Sequence, residues 1–137
     1  MKSSLHCLPK EIQQQLCVID QSQFYIIVII AAVFLSLHAT SIQRQQLICS
    51  VTQEDCCKCL PDVFPIRFLS SVMILIALVF FFQLSGENLC KPQPNCVARC
   101  SGKMNHVASL LVLLAAAIRF FDINFVELNT PRKPACP

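Results

Sequence analysis

Residues 68–86 read FLSSVMILIALVFFFQLSG, nineteen residues without a charge. At 1.5 Å rise per residue, a helix of that length covers roughly 28 Å, close to the ~30 Å hydrocarbon core of a bilayer. Twelve of the nineteen are Ile, Leu, Val or Phe. Each favours insertion by roughly 0.3–0.6 kcal/mol near the bilayer centre, so the segment gains about 4–7 kcal/mol on entering the membrane. Gln83, late in the run, is too weak a counterweight to reverse that. Arg67 before the stretch and Glu87 after it mark the two water boundaries. The expected fold class is therefore an all-α integral membrane protein.

Composition limits the alternatives. The chain has 137 residues, enough for one domain, of which 55% are hydrophobic and 14% charged. A typical soluble domain carries about 25% charge. Eleven Lys and Arg against eight Asp and Glu give a net charge of +3. That is too mild to argue for nucleic acid, and no basic stripe with interleaved aromatics is present. The expected partners are the lipid bilayer and other membrane chains, including a second copy of this one.

The first span is expected at about 24–42, inside an uncharged interval of 23 residues between Asp20 and Arg44. The β-branched run Ile26 to Ile30 resembles a buried strand, but the apolar stretch continues for three more helical turns. In lipid the backbone must satisfy its own hydrogen bonds, so helix is the assignment. Ala32, Ser36 and Thr40 recur every fourth residue and make a face of small side chains suited to close helix contact. His38 lies in the same run and is a candidate for proton relay, discounted because Arg44 is only six residues away. Ahead of this span, residues 8–20 have an amphipathic pattern, with Pro9 suited to a first helical position and Leu8, Ile12, Leu16 and Ile19 on one face. That segment is either a helix lying on the membrane surface or a lead-in that extends the span. A signal peptide is disfavoured, because Asp20 precedes the apolar run and Leu37 spoils a cleavage site ending at Ala39.

The third span is the marginal one. Val107 to Ile118 holds twelve uncharged residues, about 18 Å of helix, too short to cross alone. Its seven Ile, Leu and Val residues supply roughly 2–4 kcal/mol, similar to the cost of one Arg at the bilayer centre. Arg119 lies near the end, where it can snorkel, and Asp122 three residues on is placed to pair with it. The expectation is a span at about 104–121 with the helical pattern continuing through Phe121, Phe125 and Leu128. Ala108 and Ala115, with Ser109 and Ala116, give this span a face of small residues. A polar tail follows, over residues 122–137.

Short connections rich in Cys and Pro join the spans. The first contains Cys56, Cys57 and Cys59, a C-C-x-C cluster whose Cys56–Cys59 spacing lets two thiolates meet one tetrahedral zinc ion, with Cys49 or Cys136 completing a set of four. One C-x-x-C pair is a weaker zinc signal than two. A disulfide clip is the plainer reading, and thioredoxin-like chemistry lacks its strand-helix setting. In the second connection Cys90, Cys96 and Cys100 accompany Pro92 and Pro94, and one disulfide is expected there if that side is oxidising. Three crossings put five cysteines on each side of the membrane.

No Gly-rich phosphate loop, H-E-x-x-H or G-x-S-x-G motif is present, and no carboxylate pair lies within a span. An enzyme is not expected, and no cofactor beyond the zinc alternative is implied. Near the span ends, six Lys and Arg on the side of the first connection face four on the other, which favours an external N-terminus and a cytoplasmic C-terminus. Three short spans in a small chain are similar in layout to phage holins, a resemblance of size and span count that implies a pore former. The reading preferred on the residues is a membrane protein of structural or interaction type.

Overall fold

A computed structural model describes residues 9–52 and 60–130, and these form three helices: α1 (Lys10–Thr52), α2 (Phe64–Cys90) and α3 (Cys96–Asn129). All three are long and apolar enough to cross a membrane. Each contains its expected span and extends well beyond it. The reason is that charges such as Asp20, Arg44 and Asp122 end an apolar run without ending a helix; breakers do that. Pro9 stands just ahead of α1, and its carbonyl accepts from the amides of Ile12 and Gln13 at 3.0 and 3.2 Å. From Lys10 onward no residue interrupts the ladder, so the amphipathic segment is a continuous lead-in to the first span rather than a separate helix.

The ends of α2 follow from prolines. Val63 is the N-cap and Pro65 occupies the first turn, where its missing N–H is no loss. The orphan amide of Phe64 donates instead to the Asp62 carboxylate at 3.0 Å. At the other end Lys91 is extended, with φ −73° and ψ 144°, as a residue preceding proline must be. Residues 91–95 then join α2 to α3, and Gln93 Nε2 donates to the Asn88 carbonyl at 3.1 Å, satisfying one of the last carbonyls of α2.

Helix α2 is the middle element, packing against α1 on one side and α3 on the other. Helix α2 buries three small residues, Ser70, Ala77 and Ser85, spaced by seven and eight, of which Ser70 bonds directly to α1. Opposite them α1 buries Ala32, Ala39 and Ile42. Ser70 Oγ donates to the Ala32 carbonyl at 2.8 Å, which commits its one proton, so Ser36 Oγ donates to Ser70 Oγ across 2.7 Å. Thr40, expected on this face, is exposed and donates back to the carbonyl of Ser36. Where the chain turns between the helices, Val63 and Ile66 close over Ala39 and Ile42.

The contacts fix the relative heights of the helices. Tyr25 stacks on Phe80 with centroids 4.1 Å apart, and with Ser36–Ser70 this makes the numbers of facing residues on α1 and α2 add to 105 or 106. Phe68–Phe120 and Phe82–His106, at 5.5 and 4.7 Å, both add to 188. Subtracting from these totals, Asp20 of α1 and Lys103 of α3 stand level with residues 86 and 85 of α2, beside Glu87. At the opposite end Arg44 and Arg119 stand level with residues 62 and 69, on either side of Arg67. The charge-free zone of the bundle is thus flush at one end, within about 3 Å, and stepped by about 10 Å at the other.

Candidate functional site

Of the residues singled out for metal chemistry, only Cys49 lies among the described residues. Cys49 is half-buried near the end of α1 and disulfide-bonded. A bridged sulfur is not the thiolate that zinc requires. Cys56, Cys57 and Cys59 lie outside the described residues, as does Cys136. No group of three His, Cys, Asp or Glu side chains placed to hold a metal occurs among the described residues. Cys17, Cys90, Cys96 and Cys100 are exposed free thiols, so the second connection carries no disulfide. Cys96 and Cys100 are one turn apart at the start of α3 and face the same side.

The ionisable residues of the expected spans make no pairing either. His38 is exposed on α1 beside Leu37. Arg119 and Asp122 are both exposed, and no ion pair joins them. His106, at the near end of the third span, is the histidine that packs. Its ring stacks on Phe82 and lies over Gly86, where its Cε1 stands 3.5 Å from the position a Cβ would take. Its Nδ1 and, on α2, the Ser85 hydroxyl are buried without a hydrogen-bond partner.

A cavity of about 440 Å³ opens where all three helices meet. Val33, Ser36 and Thr40 line it from α1, Ser71, Ile74 and Leu78 from α2, and Val112, Ala115 and Ile123 from α3. Arg67 and Arg119 line it toward its stepped end, and none of its lining residues is acidic. The sequence placed both arginines at span boundaries, but only the antiparallel register shows that they border one space. A second opening, at the flush end, lies between Asp20, Gln21, Tyr25 and Phe80.

Along α3 the large apolar residues Val107, Leu111, Leu114, Ile118, Phe121, Phe125 and Leu128 alternate spacings of four and three. All seven are exposed, and α3 buries no residue at all. Steps of 3.5 residues keep side chains on one stripe, the pattern by which a helix meets a second helix along its length.

Compared with family models, curated proteins and solved structures, the chain matches none. Its function is read from its own residues.

Proposed function

We propose that this chain is a multi-pass membrane protein of structural or interaction type, which joins another membrane chain or a second copy of itself through α3. The observation that carries this reading is the exposed seam from Val107 to Leu128. Within the hydrocarbon, exposed apolar side chains are covered by lipid. Phe125, 67% exposed, and Leu128, 84% exposed, lie beyond Arg119 and Asp122, outside the charge-free zone. There lipid tails do not cover them, whereas a partner helix following the seam would. The uncovered stretch is also continuous with the rest of the stripe, as a single helix–helix contact requires.

For orientation, the proposed arrangement keeps the N-terminus outside and the C-terminus in the cytoplasm. Arg44, Arg67 and Arg119 gather at the stepped end, while the flush end mixes Asp20 and Glu87 with Lys103, and cationic ends stay on the cytoplasmic side. The bridged Cys49 is on the stepped side and the four free thiols are on the other, which points the opposite way. The arginines dominate, because three of them stand at the ends of the helices' charge-free stretches, where charge sets orientation.

The interaction reading is tested by photo-crosslinking in native membranes, with benzoylphenylalanine at Phe121 on the seam or at Ile27 on the outward face of α1. Adducts of discrete protein mass are expected from position 121 and lipid adducts from position 27. If position 121 yields lipid adducts alone, the seam is a lipid-facing surface and the interaction reading fails. A reporter fused after Pro137 tests the orientation and should be active in the cytoplasm.

A further inference from the structure

The cavity between the helices combines features that belong together in one kind of ligand. Its volume of about 440 Å³ lies within the ~300–1,000 Å³ typical of small-molecule sites. Arg119 stands level with residue 69 of α2, two residues from Arg67, so the two arginines leave their helices at heights that differ by only about 3 Å, and both line the cavity. The hydroxyls of Thr40 and Ser71 lie on the same lining, and no carboxylate does. Asp122 is one turn from Arg119 but forms no ion pair with it and is absent from the lining. Two like charges facing one low-dielectric gap repel, and an anion between them turns that repulsion into two attractions.

Depth defines the rest of the ligand. From Arg67 to Leu78 is eleven residues of α2, about 16 Å along the axis, and the wall beyond the charged end is formed by Ile74, Leu78, Val112 and Val33. A free phosphate would leave that apolar depth unused. A helix is too large, because a single turn about 10 Å across and 5.4 Å long would already fill the space. One acyl chain attached to an anionic head matches both parts.

We infer that this cavity binds one anionic glycerophospholipid from the surrounding bilayer, its phosphate between Arg67 and Arg119 and one acyl chain along Ile74, Leu78 and Val112. The inference rests on the membrane reading above but not on the α3 seam. Basic pockets between membrane helices are known sites for anionic head groups, with each cationic side chain worth about fivefold in affinity.

The test is native mass spectrometry of the full chain in a zwitterionic detergent, offered equal amounts of palmitoyl-oleoyl phosphatidylglycerol and phosphatidylcholine. One phosphatidylglycerol should be retained in preference by about 25-fold, from two arginines at about fivefold each. R67Q/R119Q should abolish the preference, while R44Q, a third arginine of the same end that does not line the cavity, should keep it. Ala116→Leu fills the apolar wall and leaves both arginines in place, so it should lower retention of either lipid and serves if the double variant fails to fold. Glycerol 3-phosphate, the head without the tail, should not compete. Equal retention of the two lipids by the wild type, a preference that survives R67Q/R119Q, or full competition by glycerol 3-phosphate would each overturn the inference. Carbonate extraction of the wild type separates the two levels. Release from membranes means the membrane reading failed, whereas an inserted chain without lipid preference removes only the lipid site.

Discussion

Replacing Ala77 by Leu should loosen α1 from α2 more than deleting the hydroxyls that bond across the same contact. Ala77 has no exposed surface and lies seven residues from Ser70, nearly two full turns, so it belongs to the face that meets α1. Leu adds three carbons where no space exists, and overpacking of this kind costs about 1–3 kcal/mol. Ser70→Ala removes two interhelical bonds, one to the Ala32 carbonyl and one from Ser36. Such bonds average about 0.6 kcal/mol each in membrane proteins. Ser36 can then turn its hydroxyl back to the carbonyl four residues earlier, as Ser22, Thr40 and Ser109 already do at 2.8–2.9 Å. The net loss for Ser70→Ala is therefore about 0.6 kcal/mol, and packing outweighs hydrogen bonding by a factor of roughly 1.7 to 5. The chain has one tyrosine and no tryptophan, and that tyrosine, Tyr25, stacks on Phe80 across this interface. Near-ultraviolet circular dichroism during titration with a denaturing detergent thus reports separation of α1 from α2 directly. A midpoint for Ser70→Ala at or below that of Ala77→Leu would refute the reasoning, because the hydroxyl pair and not the small-residue fit would then hold the helices.

Three further outcomes follow from the same structure. Leu111→Ala with Leu114→Ala should remove about 1 kcal/mol of insertion free energy and leave a detectable uninserted fraction, while Leu75→Ala with Leu78→Ala in the stronger α2 should not; glycosylation reporters measure both, and equal sensitivity refutes the ranking. Gly86→Ala and Gly102→Ala should each raise stability by about 0.5–1 kcal/mol, since the added Cβ meets the nearest side chains at ordinary distances of 3.5 and 3.7 Å; a lowered midpoint for either shows that the neighbouring helix is closer than described. Maleimide should label Cys17, Cys90, Cys96 and Cys100 without a reductant and Cys49 only after one; mapping the labels by peptide mass checks this, and modification of Cys49 before reduction contradicts the bridge.

Much of the architecture was legible because membrane insertion is decided by local sums. Residues 68–86 needed no partner to be read as a helix, whereas the ends of α2 follow from Pro65 and Pro92 and lie outside the charges that bound the expected span. The helices outran the expected spans because the sequence was read for apolarity, and Asp20, Lys103 and Asp122 stop an apolar run while leaving the backbone ladder intact. The face of α1 was legible only in part. Steps of four advance the stripe by about 40° each, so Thr40 has rotated away from the contact that Ala32 makes, whereas Ala39, seven residues on, has slipped by only about 20°. The stacking of His106 on Phe82, the hydroxyl pair and the cavity between Arg67 and Arg119 depend on register between helices. No spacing within one helix encodes that.

The stepped end of the charge-free zone has a consequence for the bilayer. Between bounding charges α1 offers 23 uncharged residues, α2 nineteen and α3 fifteen, or about 34, 28 and 22 Å. The molecule is a wedge in thickness. Inserted in a hydrocarbon core of ~30 Å, its α1 flank would be too long and take up the excess by tilt, while its α3 flank would fall short by about 8 Å at a fraction of a kcal/mol per ångström. On the proposed membrane reading, lipid beside α3 thins to meet it, so the strain of hydrophobic mismatch is concentrated on the flank that carries the open seam. Two wedges joined thin edge to thin edge would remove that boundary, and a membrane of ~27 Å would relax it, so association and sorting toward thin bilayers are two answers to the same short helix.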